Sequence, residues 1–505
     1  MIAILLTTLV VYFAILSVIS FRSRGTADND AFFRAQRRAP WTMVALGMVG
    51  ASVSGVSLVS VPGWVGTTGM TYLQMCMGFV PGYLVVAFVL LPLYYRLRLT
   101  SIYGYLGMRF GSRTHRTGAL FFLLSKLTGA AARLYLAVVV LTQFLPGGRT
   151  AFILTSLLVL LLIYLYTRAG GLSSLVRTDA LQTVCLLLAI GGILWGAASR
   201  LGLDFAGTWQ VVCDSPWSRV FEWEPASRQN FWRQFASGLF IVVVMTGLDQ
   251  DMMQKNLSCR TLREAQKNMC SYGLAFLPVN ALLLGLGVLL YTLCQREGIQ
   301  PPTQTDALLP SLIADGTLGT WVVVPFAIGI VAAAFSSADS ALTSLTTSFC
   351  VDILGVERRE LPAARRERLR RCVHAGMCAA FFLCMMIIAA VGAGNMIDVI
   401  YLMATYTYGP LLGLFAFGMF TRRPVRDRLV PVVCLCVPLL CWALDYAAPR
   451  LWGFSFGYEL LLVSGLLTFL GLLLLREKAS GVASADLPLN MTGKQESAKT
   501  EKKET

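Results

Sequence analysis

Eight hydroxyl side chains crowd one apolar stretch of this chain. Val331–Leu354 reads VAAAFSSADSALTSLTTSFCVDIL and carries Ser336, Ser337, Ser340, Thr343, Ser344, Thr346, Thr347 and Ser348, with Asp339 among them. In a helix, Ala333, Ser336, Ser337, Ser340 and Ser344 fall at i, i+3, i+4, i+7 and i+11 and share a face. Hard cations take oxygen ligands, so such a face is fitted to hold one. It is equally fitted to hydrogen-bond a neighbouring helix. A carboxylate inside a bilayer is costly unless it lines a bundle interior, a water-filled cavity or an ion site.

Other residues carry chemistry of the same kind. Leu46–Gly69, LGMVGASVSGVSLVSVPGWVGTTG, combines Gly50, Ser52, Ser54, Gly55, Ser57, Ser60, Pro62 and Gly63. Small residues let helices pack closely. They also let a helix unwind and turn its carbonyls towards an ion or solute. Arg133, in AARLYLAVVVL, is a guanidinium inside an apolar run and can hold a carboxylate bidentately, pair with an acid, or snorkel. Asp179, in SLVRTDALQT, reads as a helix-start carboxylate or as a buried ligand. Asp249 and Asp251, in LDQDMMQKNL, suit a structural or gating role. His115 and His374 lie in or beside basic loops and receive no catalytic role. No nucleophile–base–orienter set and no phosphate-binding glycine loop stands out, so an enzyme is not expected.

The elements that must position these residues are membrane helices. The 505 residues are 56% hydrophobic and 14% charged, with mean hydropathy +0.66. The fold class is an all-α polytopic membrane protein. About thirteen transmembrane helices are predicted, near 2–20, 42–66, 72–95, 117–145, 150–167, 177–199, 231–254, 268–295, 318–348, 373–392, 396–420, 429–447 and 454–475.

Basic residues follow every odd-numbered span. They are Arg22, Arg24, Arg34, Arg37 and Arg38; Arg96, Arg98, Arg109, Arg113 and Arg116; Arg168 and Arg177; Lys255, Arg260, Arg263 and Lys267; the Glu357–Arg371 cluster; and Arg422, Arg423, Arg426 and Arg428. The even-numbered loops are short and nearly uncharged. The exception in length, 200–230, is slightly acidic and carries Trp209, Trp217 and Trp223. The positive-inside rule then puts the N-terminus outside and the C-terminus inside. The net charge of +15 is thus a topology signal and not a nucleic-acid footprint. The thirteen cysteines are scattered without metal spacing and read as packing residues. Ile2–Ser20 lacks a basic leader and a cleavage site and reads as a retained helix. Residues 478–505 read as a disordered tail, and no appended soluble domain is expected.

In order along roughly 28–420, the chain is similar to the sodium/solute symporter family, which includes proline, pantothenate, sugar and sialic acid carriers. The resemblance rests on DNDAFFRAQRRAPW, the Ser/Gly-rich second span ending in PG, LTSIYGYLGMRFG at Leu99–Gly111, TRAGGLSSLVRTDALQ at Thr167–Gln182, LDQDMMQKNL, and AAAFSSADSALTSLTTSFCVDIL. It implies a LeuT-like core of two inverted five-helix repeats. The expected layout is 1–40 a first peripheral helix and basic loop, 41–199 repeat 1 (spans 2–6), 200–230 an external loop, 231–420 repeat 2 (spans 7–11), 421–477 two peripheral helices, and 478–505 the tail.

The resemblance also implies sites. One sodium would be held by the carbonyls of Gly50, Val53 and Ala333 and the hydroxyls of Ser336 and Ser337. A second would lie among Asp179, Ser336, Asp339 and Ser340, where Asp339 replaces a serine of sialic acid carriers. Ser54 and Ser57 would bind the solute, with further contacts from spans 3, 4 and 7; Arg133 is a substrate-binding candidate from its own chemistry and not from the resemblance. Arg133 stands about one and a half turns from the carboxylate-binding arginine of those carriers. The expected function is sodium-coupled symport of an organic anion, zwitterion or sugar by a monomer in the cell membrane. The alternatives are a proton-coupled carrier using Asp339 or Asp179, a membrane sensor on the same fold, and an integral-membrane transferase, which would need acids or histidines gathered at one membrane face.

Overall fold

A bilayer core offers no water to the backbone, so a long apolar run closes its hydrogen bonds on itself as a helix. The computed structural model follows that constraint. It describes residues 2–22, 32, 37–143, 145–356, 362–391 and 396–475. Arg24, Arg34, the Glu357–Leu361 start of the strongest basic cluster and the 478–505 tail lie outside the described residues, as does the side chain of Arg168.

The membrane-scale helices are α1 Ile2–Arg22, α2 Trp41–Ser52 and α3 Gly55–Thr68, α4 Tyr72–Arg96, α5 Ser112–Thr142, α6 Gly148–Thr167 and α7 Leu175–Arg200. They continue with α8 Phe231–Gly247, α9 Gln250–Leu257 and α10 Leu262–Glu297, α11 Val323–Ser348, α12 Ala363–Val391, α13 Met396–Phe420, α14 Val430–Trp452 and α15 Leu460–Leu474. Among the described residues nine helices are long and apolar enough to cross a membrane, or up to eleven if the bent pairs α2/α3 and α8/α9 each count as one. Helices α1 and α15 stand where the first and last spans are expected.

Two local differences from the sequence reading emerge. Helical structure runs unbroken from Gly148 to Arg200, so spans 5 and 6 meet through a helical link rather than a loop. No proline interrupts that link, and glycine alone does not stop a helix. Span 7 is not one helix either: α8 and α9 meet at 63°.

Helix α11 is the central post. Every residue from Gly329 to Ser348 is buried, packed among α1, α2, α3, α5, α6–α7, α9 and α12. The 200–230 segment forms a short helix, Phe205–Asp214, and is laced to the start of α4. Gln74 Nε2 donates to Gln229 O at 2.9 Å, Glu222 N–H donates to Gln74 Oε1 at 3.1 Å, and Met70 N–H donates to Arg219 O at 2.9 Å. All thirteen cysteines are free, several of them buried.

Helices α4 and α8 touch backbone to backbone. A Cβ on Gly78 would fall on Phe235 O, and one on Gly238 would fall on Met75 O. A rigid carbonyl cannot yield to a methyl group as a flexible side chain can. Gly238→Ala is therefore expected to destabilise the protein by about 1–3 kcal/mol, seen as a lower melting temperature in detergent. Gly376→Ala, inside α12 with open space at its Cβ, serves as the control and should melt no lower than the parent does. Equal melting of both variants would contradict the close approach.

Candidate functional site

The site begins at the break in span 2. Val53 (φ −79°, ψ 78°) and Ser54 (φ −75°, ψ 171°) leave helical geometry, and the two halves diverge by 54°. Gly50 and Gly55 weaken the helix there, and serine side chains compete for its backbone groups. The last bond of α2 runs from Val53 N–H to Val49 O at 2.8 Å, and bonding resumes with Leu58 N–H to Ser54 O at 3.2 Å. Among the described residues no main-chain N–H closes on the carbonyls of Gly50 and Val53.

Glycines seat this break against its neighbours. A Cβ on Gly55 would meet Ile330 O of α11 at 3.3 Å. A Cβ on Gly47 would meet Asp179 Cβ of α7 at 2.8 Å, and one on Gly50 would fall on Thr183 Oγ1. Thr183 in turn donates to Leu46 O at 2.9 Å. The broken span thus contacts both the helix that carries Asp179 and the helix that carries the hydroxyl face.

The hydroxyls of α11 divide into two groups. Towards its C-terminal end they serve α12, α9 and the π-helical turn Phe349–Ile353 that continues α11. Thr346 Oγ1 meets His374 Nδ1 at 2.8 Å, Gln254 Nε2 donates to Thr347 Oγ1 at 3.2 Å, and Ser348 donates to Asp352 Oδ2 at 2.6 Å. Asp352 also receives Ser101 at 2.7 Å and contacts His115 Nε2 at 2.8 Å. Both histidines are therefore buried packing partners, not loop residues. The second group faces α7: Ser336 donates to Asp179 Oδ1 at 2.9 Å and Ser340 to Oδ2 at 3.4 Å. Asp179 is not at a helix start, because the helix already runs through it. Ser337 returns its proton to Ala334 O at 3.1 Å, which leaves its oxygen lone pairs for another partner. Asp339 turns elsewhere and accepts from Tyr166 at 2.5 Å, while its Oδ1 is buried without a hydrogen bond.

Span 7 breaks differently. Its freed carbonyls are covered by tyrosines: Tyr94 donates to Gly247 O at 2.9 Å and Tyr103 to Leu248 O at 2.8 Å. Asp249 caps α9, accepting from Asp251 N–H at 2.8 Å and Met252 N–H at 3.3 Å. Every residue of α9 is buried. Two lysines neutralise the acids around it. Lys126 Nζ lies 2.7 Å from Asp251 Oδ2 and 3.2 Å from Asp249 Oδ2. Lys255 Nζ lies 2.8 Å from Asp179 Oδ2, a contact of opposite charges without aligned hydrogen-bond geometry. Tyr408 of α13 adds a bond to Asp249 Oδ2 at 2.6 Å.

Arg133 stands two turns after Lys126 on α5. Among the described residues its guanidinium forms no direct ion pair. It lines two adjoining cavities that share Met245 and Met252. One, about 370 Å³, also takes Ser125, Lys126, Asp249 and Tyr408. The other, about 460 Å³, is walled by Ser52, Phe79, Tyr83, Tyr272, Phe276 and Tyr401. Ser52, Tyr272 and Tyr83 form a chain of hydroxyls at 2.6 and 2.9 Å. Ser54 and Ser57 do not line either cavity; Ser54 is buried at the start of α3 and Ser57 half-buried. A third cavity, about 450 Å³, includes Trp64, Tyr72, Asp398 and Tyr458. Tyr72 of this cavity and Tyr401 of the second touch through their hydroxyls at 2.9 Å.

Residues 32–427 match the sodium:solute symporter family, and the chain belongs to it. It is similar to the human sodium/iodide cotransporter (25% identical over 413 residues, 78% of this chain and 62% of that one). It is also similar to the rabbit (Oryctolagus cuniculus) sodium-dependent multivitamin transporter (28% over 404 residues, 76% and 61%). The Aliivibrio fischeri sodium/sialic acid symporter NanT is 24% identical over 453 residues, 85% of each chain. The chain thus spans 62% and 61% of the length of the first two relatives. In three dimensions it matches a substrate-bound, outward-open Na+-coupled sialic acid symporter with TM-score 0.79 at 19% identity, covering 93% and 97% of the two chains. The closed form of the nucleobase-cation symporter Mhp1 matches with TM-score 0.55 at 13% identity, covering 87% and 93%. The fold is therefore that of the LeuT-like transporters.

Lys126 and Lys255 are the functional-site residues that the sequence reading passed over. Lys126 is an ammonium inside span 4, and an intramembrane charge is itself a signal. Lys255 was counted with the loop charges, yet it is 2% exposed. Replacing Lys126 by Met leaves Asp249 and Asp251 without the ammonium between them. The expected cost is about 3–5 kcal/mol, read as a lower melting temperature. Adding Asp251→Asn should recover part of it. A Lys126→Met protein that melts like the parent would contradict the pairing.

Proposed function

We propose that this protein is a sodium-coupled symporter that takes up a small organic solute across the cell membrane by alternating access. The observation that carries this reading is the break at Val53–Ser54, seated against α11 with the Gly50 and Val53 carbonyls free of main-chain donors among the described residues. Those carbonyls, the Ala333 carbonyl and the Ser336 and Ser337 hydroxyls form an all-oxygen donor set of the kind hard cations take. Sodium there would join the broken span to α11, and its release would loosen that junction. Membership of a family of sodium-coupled carriers supports the same reading.

One sodium moving down roughly 100 mV contributes ~2.3 kcal/mol, and a tenfold concentration ratio adds about 1.4 kcal/mol. Together they sustain roughly 500-fold accumulation of a neutral solute for one ion. The N-terminus faces outwards in this reading, a monomer is sufficient, and no nucleic acid takes part.

The solute site is the pair of cavities joined at Arg133. A guanidinium that makes no direct ion pair among the described residues is suited to a carboxylate ligand. The aromatic walls of the larger cavity suit an apolar body behind that group. An organic anion or zwitterion therefore fits better than a sugar. Tyr72 and Tyr401 form the outer gate, since their hydroxyl contact lies between this cavity and the one lined by Trp64 and Asp398. Proton coupling is the second reading, because Asp339 Oδ1 is buried without a hydrogen bond.

Uptake assays in cells or proteoliposomes test both parts. Ser337→Ala should raise the sodium concentration for half-maximal uptake about tenfold or more, equivalent to about 1.4 kcal/mol. Arg133→Ala should abolish uptake of whichever carboxylate is carried, and Arg133→Lys should recover little of it. Unchanged sodium dependence in Ser337→Ala, with uptake following an imposed proton gradient, would favour the proton reading.

A further inference from the structure

The pocket around Asp179 departs from what a second sodium site requires. An ammonium is already there: Lys255 Nζ lies 2.8 Å from Asp179 Oδ2, with the two side chains 2% and 1% exposed. Ser336 and Ser340 point their protons at the same carboxylate, at 2.9 and 3.4 Å. Asp339, the other acid of the pocket, is turned to Tyr166 at 2.5 Å. Asp179 thus already faces a cation, and that cation belongs to the chain.

A sodium ion added to Asp179 would share one buried carboxylate with Lys255, and like charges repel strongly where water is excluded. Lys255 has no short route out, because it sits on α9, whose residues are all buried. Asp251 lies on the same short helix and is held by Lys126 at 2.7 Å, so it offers no vacant partner to a displaced ammonium. The residues present do not fit a second sodium.

We propose that Lys255 is a tethered cation that takes the place of a second sodium at Asp179, so that this carrier binds one sodium per cycle. The proposal rests on the symport reading above. It also assigns α9 a role that an ion cannot fill. The positive charge at Asp179 is permanent and is carried by the half-helix that follows the span 7 break. It therefore joins α9 to α7 throughout the cycle, whereas a bound ion would join them only while it stays.

Equilibrium binding of radioactive sodium to the full-length protein in nanodiscs tests this. The parent protein should bind one sodium per chain. Lys255→Ala should bind two, because the freed carboxylate with Ser336 and Ser340 becomes a cation cage, and its sodium activation curve should steepen from a Hill coefficient of about 1 towards 2. A monodisperse Lys255→Ala protein that still binds one sodium overturns the proposal. Because removing Lys255 risks misfolding, coupling is also measured in the parent: simultaneous uptake of radioactive sodium and a transported radiolabelled carboxylate into proteoliposomes should give one sodium per solute, and a ratio of two overturns the proposal. A parent count of two defeats this proposal and leaves symport intact, whereas a count of zero defeats the symport reading as well.

Discussion

Backbone carbonyls released inside a bilayer must find partners, and the way this protein meets that constraint at two places organises everything else. At the span 7 break the partners are built in: Tyr94 and Tyr103 reach from the first half of the chain to cover Gly247 and Leu248. At the span 2 break, among the described residues, no main-chain N–H closes on the carbonyls of Gly50 and Val53. The difference separates a break that is held shut by protein from one whose carbonyls are left available to the proposed sodium. It also explains the glycines around the second break, since only a chain without Cβ atoms brings α2 and α3 this close to Asp179, Thr183 and Ile330.

The buried charges follow the same logic. Unpaired charge at membrane depth is expensive, and each lysine near α9 sits against an acid. The short helix α9 is fixed on two sides, to α5 through Lys126 and to α7 through Lys255. Tyr408 extends the first of these networks to α13. Arg133 is the exception among the cations, for it borders two cavities and makes no ion pair among the described residues. That contrast within one region distinguishes charge that holds the bundle together from charge that is free to meet a solute.

Much of this was legible in the sequence, because membrane helices have few alternatives. Apolar runs located the membrane-scale helices but not their number, for nine to eleven of the thirteen expected spans are long and apolar enough to cross among the described residues; the hydroxyl face of Val331–Leu354 was visible from spacing alone, as was the weakness of span 2. Spacing did not reveal that Thr346 and Thr347 are committed to His374 and Gln254, because those partners lie 28 and 93 residues away; the Ser348–Asp352 pair, four residues apart, was within reach of helical spacing. The span 7 break left a trace in the polar LDQD following Gly247, but the apolar run before it reads as an ordinary helix. Lys255 was misread because a lysine near a span end looks like a loop charge until the chain is folded. Ser52, rather than Ser54 or Ser57, borders the cavity, a shift that depends on the rotation of α2 at its last turn.

The central claim is that sodium, completing the junction between the span 2 break and α11, powers uptake. The most direct measurement is solute accumulation in proteoliposomes under separately imposed sodium and proton gradients, with the membrane potential clamped. Accumulation should follow an inward sodium gradient at equal pH on both sides, and a proton gradient without sodium should drive none. Accumulation driven by the proton gradient in sodium-free medium would contradict that claim.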